Sequence, residues 1–486
     1  MITGNITPKS FPDSLPKKSH KRLAVRLGAL GALLFVSFFV LVAVRATQFA
    51  KLTAASPLAP QQSALLQDEL RTRYAQAYQL VKPLPYNLGS RNLDVWAESA
   101  IIIDASNGCI LYQKNAGEVI PPASMTKLFC MYVVEEEVAA GKLSYNQIIP
   151  LPSESWACNM PPHSSLMFLG EGQRVTLEEL LLGLSICSGN DAAYALAYTI
   201  SGNMEGFVDR MNQIALNLKL SHTFFVESSG YSENNTTTAA EMAAFSRVYL
   251  NNHPDSLRRY HSVRDFTYPK ERNLAPGDTA SAQDFSNGFP THITMPIYQK
   301  NTNPLLDVLS GCDGLKTGYI DESGYNLALT AERDGTRFIS ITMKGPGASV
   351  KEGQQGRVHD GTELMEWAFA NFFDYELPPE LLKIFTKIYG YKEKALNLIP
   401  AWQDAVTVPF VCGNSLDECR GLVNAKIVLA DHKSYPDAIH AGDALGAVVI
   451  LIDGVELCKI PLVTDRSVEK SNFIIRAADF LLGILK

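Results

Sequence analysis

The sequence predicts an α+β protein: an antiparallel sheet flanked by helices, with an α-helical subdomain, followed by a small all-β C-terminal domain. Three observations predict it. Strand patterns stand on both sides of a block of helices, near residue 100 and again beyond Leu305. The helices of that block are apolar almost all round, which marks them as buried. From about Leu382 the composition shifts to short strands separated by Gly, Asp and Asn. With 486 residues, 46% of them hydrophobic, the chain can build two or three full cores. Net charge is −7 and no long basic block lies outside the N-terminus, so a nucleic-acid partner is not expected. The 8 cysteines include no C-x-x-C and the 9 histidines no H-E-x-x-H, so no metal site is expected.

In chain order, residues 1–26 read as a cytoplasmic tail and residues 27–44, LGALGALLFVSFFVLVAV, as a transmembrane signal anchor. As a helix these uncharged residues span about 27 Å, close to the hydrocarbon thickness of a bilayer. A cleaved signal peptide is the alternative. Its apolar part usually runs shorter, and no clean small-x-small site precedes Lys51, so the uncleaved anchor is preferred. Lys9, Lys17, Lys18, Lys21, Arg22 and Arg26 precede the segment, which puts everything after residue 45 outside the cytoplasm. Residues 45–92 read as a stalk, with a helix from Ala64 to Val81 capped by Ser63 and striped by Leu66, Leu70, Tyr74, Ala77 and Val81.

Residues 93–376 read as one compact domain. ESAIIIDASNGCILYQKN gives two strands joined at Ser106-Asn107-Gly108. SMTKLFCMYVVEEEVAAG gives a helix striped by Leu128, Met131, Val134 and Val138 and closed by Gly141. Thr176 caps a second helix, LEELLLGLSIC, and a third starts at Asp191. DGLKTGYI, GYNLALTAE and TRFISITMKG are strands, the last two joined at Asp334-Gly335, and TELMEWAFANFF is the closing helix. Residues 382–467 form the small β domain. In it Cys412 and Cys419 either pair or stay reduced. Residues 471–486 form an amphipathic helix whose polar or small positions, Asn472, Arg476, Asp479, Gly483 and Lys486, fall on one stripe. It either packs on the β domain or lies in the membrane surface, the second being preferred.

Chemistry is suggested at three places. In PPASMTKLF, Ser124 and Lys127 share one helix face, which would give a serine its own amine base if burial keeps that amine neutral. The spacing alone is weak, since it recurs at Ser14/Lys17 and Ser467/Lys470. Ser188-Gly189-Asn190 is a polar triplet interrupting two buried helices and must find partners. S-x-N also recurs elsewhere; the position distinguishes this copy. Lys316-Thr317-Gly318 places a cation and a hydroxyl on a strand, with a glycine that lets substrate backbone approach.

In this order the three motifs resemble those of the penicillin-binding proteins and serine β-lactamases. Their flanks, IIIDASNGCILYQKNAGEVIPPASMTKL, SGNDAAYALA and CDGLKTGYIDESGYNLALTAERDGTRFISITM, resemble the D-alanyl-D-alanine carboxypeptidase branch of the low-molecular-mass penicillin-binding proteins. The tail segment YPDAIHAGDALGAVVILIDGVELCKIPLV resembles the C-terminal β domain of that branch, so the likeness runs over roughly residues 93–486. It implies a β-lactamase/transpeptidase-like fold and a serine D,D-carboxypeptidase acting on peptidoglycan stem peptides, with β-lactam antibiotics as covalent inhibitors and no cofactor. It implies an enzyme of the cell membrane with its catalytic part on the extracytoplasmic, periplasmic side, and it favours the membrane-surface reading of residues 471–486. It implies Ser124 as nucleophile, Lys127 as base, Ser188 and Lys316 as proton relay, and Asn190 on the substrate amide. The Ser124 and Tyr319 N–H groups would form the oxyanion hole. Thr317 with Arg357 would bind the terminal carboxylate, beside Gly318. A β-lactamase and a catalytically silent wall-binding scaffold are the rival readings. The chain departs from the branch at Tyr319, where histidine is frequent, at Glu227, where asparagine is frequent, and in a long polar stretch over residues 250–291.

Overall fold

The computed structural model of the protein describes residues 18–89, 91–278, 293–411, 413–431 and 435–484. The 250–291 stretch falls partly outside these residues, and Cys412, whose pairing with Cys419 the sequence leaves open, lies outside them. A six-stranded sheet lies at the centre, in the order Lys82–Pro83, Cys109–Lys114, Ser99–Asp104, Thr336–Gly345, Gly324–Arg333, Cys312–Ile320. Every neighbouring pair is antiparallel except the first, where Lys82 and Pro83 run parallel to Cys109 and Ile110. The strand period of two divides the core between the faces. Ile101, Ile103, Ile339 and Ile341 pack into the helical subdomain. Ala100, Ile102, Leu329 and Phe338 pack with Leu364, Met365 and Ala368 of the helix Val350–Asn371 on the other face. Asp334 (φ 51°) and Gly335 (φ 82°) both take left-handed backbone, as the two-residue hairpin between the last two strands requires.

The helical subdomain is built on Lys127–Ala139, Leu177–Leu182, Asn190–Ser201, Met204–Asn217 and Ala239–Asn252. Thr176 caps Leu177–Leu182 by accepting from Glu179 N. The closing helix on the far face of the sheet differs from expectation. It starts at Val350, capped by Ser349, well before the Thr362 at which the apolar pattern begins. Gly353, Gly356 and Gly361 obscure the pattern, and two of them are there for packing. A Cβ on Gly353 would lie 2.1 Å from the Tyr325 ring, and one on Gly361 2.7 Å from Leu305. The same helix ends at Asn371. Phe372–Tyr375, expected to continue it in part, forms a strand antiparallel to Val406–Pro409, where Phe373 is buried.

A second core belongs to a five-stranded antiparallel sheet in the order Ile384–Lys387, Ala395–Pro400, Val455–Thr464, Ala444–Ile452, Val423–Leu429. The first two of these strands and the helix Leu416–Leu422 escaped the sequence reading, although Ser415 and Glu418 make a capping box that marks the helix. The stalk helix lies earlier in the chain than the expected Ala64–Val81: it runs Pro60–Arg73 with Ala59, not Ser63, at its cap, because Pro60 starts it and the chain turns after Tyr74. Its Leu66 and Leu70 pack on Ala401 and Val463.

Lys18–Lys51 is one helix, long and apolar enough to cross a membrane. Its C-terminal end meets the helix Phe473–Ile484. Arg45 Nε donates to Asp479 Oδ1 at 2.7 Å, and its Nη2 to Asp479 Oδ2. Asp479 Oδ2 also accepts from Gly390 N at 2.8 Å. Ala478 and Asp479 are buried there, whereas Phe473, Ile474 and Phe480 are exposed.

Candidate active site

Pro121 and Pro122 lead into a 3₁₀ turn, Ala123–Thr126, which runs directly into the helix Lys127–Ala139. Lys127 Nζ lies 2.9 Å from Ser124 Oγ. Ser124 is partly exposed, and Lys127 is fully buried. The amine also donates to Asn190 Oδ1 at 2.8 Å and to the Ser229 carbonyl at 2.5 Å. Both of those oxygens only accept, so they hold two protons on the nitrogen; in the neutral amine the lone pair is left facing the Ser124 hydroxyl. Burial pulls Lys127 down to about 8, opposed first by Glu227 and then by Cys130 and Asp191.

Asn190 reaches Lys127 because of an irregular turn. After Leu177–Leu182 the chain widens into a π turn, Gly183–Cys187, and Ser188 stops it in left-handed backbone (φ 57°, ψ 31°). Asn190 then opens the next helix. Next to it, the Asp191 carboxylate accepts from the N–H groups of Met167, Phe168 and Leu169 at 2.7–3.0 Å. That pins the 164–169 segment, where Ser164 Oγ accepts from Asn190 Nδ2 at 3.0 Å. Burial raises Asp191, and these N–H groups oppose the rise.

Lys316 comes from the strand Cys312–Ile320 and is fully buried. Its Nζ donates to Ser188 Oγ at 3.0 Å and to the Thr317 carbonyl at 3.0 Å. Burial, then the Lys127 and Arg357 charges, hold it well below the ordinary lysine range. Thr317 Oγ1 donates to Thr302 Oγ1 at 2.7 Å. Gly318 lets the strand press on the Ala123–Thr126 turn: a Cβ there would meet Pro122 O at 2.7 Å and Ser124 N at 3.1 Å. Tyr319 is half exposed, its hydroxyl donating to Asp321 at 2.7 Å. Arg357 lies behind the strand. Its guanidinium donates to the Gly318 carbonyl at 2.5 Å and the Asn326 carbonyl at 3.1 Å, and burial brings it down to about 10.

The fold thus brings together two hydrogen-bonded groups, Ser124–Lys127–Asn190 and Ser188–Lys316, which meet at the Ser188-Gly189-Asn190 triplet beside Thr317 and Gly318. It turns the Arg357 guanidinium to backbone carbonyls. Sequence reasoning missed the Ser229 carbonyl, Ser164 and Thr302. The first is a backbone atom with no side-chain signature; the others are hydroxyl residues in loops without a periodic pattern.

A family model described as D-alanyl-D-alanine carboxypeptidase matches residues 87–347. The D-alanyl-D-alanine carboxypeptidase DacF of Bacillus subtilis is 29% identical over 380 residues, covering 78% of this chain and 87% of that protein. DacA of Escherichia coli is 28% identical over 396 residues, covering 79% and 87%. Among solved structures, penicillin binding protein 5 of Haemophilus influenzae superposes with a TM-score of 0.63 at 27% identity, covering 79% of this chain and all of that one. A match over more than half the chain, together with relatives aligned over most of both lengths, decides between the readings left open by the motifs. The chain belongs to the D-alanyl-D-alanine carboxypeptidase family of low-molecular-mass penicillin-binding proteins and is a serine-type D,D-carboxypeptidase.

Proposed function

We propose that the enzyme trims the terminal D-alanine from peptidoglycan stem peptides ending in D-Ala-D-Ala, with Ser124 as nucleophile and Lys127 as its base. The observation that carries this assignment is the set of three contacts on Lys127 Nζ, which leaves a lone pair for Ser124 once the amine is neutral. Ser124 Oγ attacks the penultimate carbonyl carbon, and its proton passes to Lys127. The oxyanion that forms is held by the N–H groups of Ser124 and Tyr319. Lys316 and Ser188, 3.0 Å apart, pass a proton to the nitrogen of the leaving D-alanine, the C–N bond breaks, and a Ser124 ester remains. The proton gained by Lys127 restores the Lys316–Ser188 pair. Water then gives a proton to the neutral Lys127 as its oxygen bonds to the ester carbonyl carbon. The bond to Ser124 Oγ breaks, that proton passes from Lys127 to Ser124 Oγ, and the shortened peptide leaves as its acid. Asn190 holds the substrate amide. Thr317 takes the terminal carboxylate, and Arg357 contributes its charge from behind the Gly318 carbonyl.

A β-lactam presents a strained amide and a carboxylate to the same groups, so it acylates Ser124 and blocks the site. We place this chemistry on the extracytoplasmic side of the cell membrane, with Lys18–Lys51 as the anchor. The exposed Phe473, Ile474 and Phe480 of the C-terminal helix rest in the membrane surface. Fluorescent penicillin tests the assignment. The wild type should take a persistent label and release D-alanine, and Ser124→Ala should do neither while melting like the wild type. A label retained by Ser124→Ala would remove Ser124 from the role, and rapid loss of label from the wild type would identify a β-lactamase.

A further inference from the structure

The Lys127 amine has one neighbour with no counterpart in the three motifs. The Ser229 carbonyl that it engages belongs to a turn closed by a single carboxylate, that of Glu227. Glu227 Oε2 accepts from Ser229 N and from Ser229 Oγ, both at 2.6 Å. Its Oε1 accepts from Gly230 N at 2.6 Å and from Asn235 Nδ2 at 2.9 Å. Asn235 Nδ2 is also 3.2 Å from Thr126 Oγ1, within the turn between the serine and the lysine. Gly230 (φ 80°) completes the contact: a Cβ there would lie 1.8 Å from the Ala123 carbonyl oxygen. The carboxylate therefore fixes, through both its oxygens, a turn that presses on the nucleophile and offers its carbonyl to the base. Glu227 does not touch Lys127 among the hydrogen bonds described.

We propose that Glu227 is the positioning residue for the catalytic lysine: it holds the Ser229 carbonyl against Lys127 Nζ and places a carboxylate on the turn that meets this buried amine. The second half rests on charge placement. Facing Lys127 are Cys130 on its own helix, Asp191 on the helix Asn190–Ser201, Lys316 on the strand Cys312–Ile320 and Glu227 on the turn. The Glu227 carboxylate favours the protonated amine and so offsets part of the effect of burial; the Cys130 thiol, pushed up to about 12 by burial, stays neutral. A carboxylate at this position thus makes the base of this enzyme neutral at a higher pH than burial alone would set.

The proposal rests on Lys127 being the general base, and one experiment separates the two. The rate constant for acylation by a penicillin is measured from pH 5.5 to 10 for the wild type, Glu227→Gln and Glu227→Asp, with melting temperatures recorded alongside. The wild type should rise through an inflection near 8 and level off. In Glu227→Gln the inflection should move to lower pH by about 0.5–1 unit, a size expected for removing one nearby charge in a partly screened site. Its plateau should also fall several-fold, because an amide cannot accept from the turn through both ends. Glu227→Asp keeps the charge on a shorter reach, so its plateau should fall with an inflection within about 0.3 unit of the wild type. If the Gln inflection stays in place or moves to higher pH, the tuning role is overturned even where the plateau falls. If both variants keep the wild-type plateau, the positioning role is overturned. If the wild type shows no inflection between pH 7 and 9, the base assignment fails and takes this proposal with it. Should Gln not fold, Glu227→Asn, also uncharged, carries the same expectation for the inflection.

Discussion

Two regions in which this molecule buries a cation treat it in opposite ways. At the junction of the first and last helices, Arg45 is paired with Asp479 through two nitrogens, with its guanidinium 5.2 Å from the Phe49 ring centre. In the active site Lys127, Lys316 and Arg357 are buried, and their described hydrogen bonds go to hydroxyls, carbonyls and an amide rather than to a carboxylate. The first arrangement neutralises the charge and leaves no reason for it to change, so it serves to join two helices 434 residues apart in sequence. The second keeps the charge expensive, so the proton is loosely held and can move. Burial with no carboxylate hydrogen-bonded to the amine is what brings Lys127 and Lys316 below the ordinary lysine range.

Breaking the reactive region should give the largest effect. Lys127→Arg keeps a cation in the pocket, but a guanidinium does not deprotonate in the working range. Penicillin acylation should fall by about 10³-fold or more, in the range expected for losing a general base. A variant acylating at the wild-type rate would mean that Lys127 is not the base. The matching change in the paired region is Asp479→Ala. It leaves Arg45 buried without its partner and should weaken the helix junction by about 3–5 kcal/mol, with acylation unchanged. Hydrogen exchange across residues 473–484 reads this directly. The double replacement Arg45→Met, Asp479→Leu should recover most of the protection, because it removes the charge as well as the partner.

A smaller effect concerns the substrate carboxylate. If Thr317 binds it with the help of the Arg357 charge, a peptide amidated at its C-terminus should lose about 10–100-fold in kcat/KM, as for one charge-assisted hydrogen bond. Equal turnover of acid and amide would leave Thr317 without that role. The mildest probe is pH. Lys127 is depressed to about 8, and if it is the base only its neutral form can accept the Ser124 proton. Acylation should therefore increase with pH, by about tenfold from pH 7 to the plateau. A flat profile would remove Lys127 from the role of base.

Much of this molecule was legible in its sequence because the relevant forces are local. The alternation in SAIIID assigns Ile101 and Ile103 to one face and Ala100 and Ile102 to the other, whatever packs there. An uncharged run bounded by arginines encodes a long apolar helix by composition alone. Ser124 and Lys127 face one another because a helical turn brings i and i+3 together. The order of the three motifs, with their flanks, carried the family.

Packing decided the rest. The helix Val350–Asn371 begins among glycines because Tyr325 and Leu305 leave no room for a Cβ, and the sequence of that helix says nothing of either neighbour. Arg357 serves the Gly318 and Asn326 carbonyls, a choice made by the strand that runs past it. The third partner of Lys127 is a backbone carbonyl from a turn 102 residues away. Asp479 sits on a polar stripe that reads equally well as solvent-facing until Arg45 is brought against it. The sequence by itself determined the elements, the reactive residue types and their order, because backbone hydrogen bonding and side-chain periodicity act over a few residues. Only the tertiary structure decided which buried charge would be paired and which left among neutral dipoles, because that depends on atoms brought together across hundreds of residues, many of them backbone oxygens that every residue carries alike.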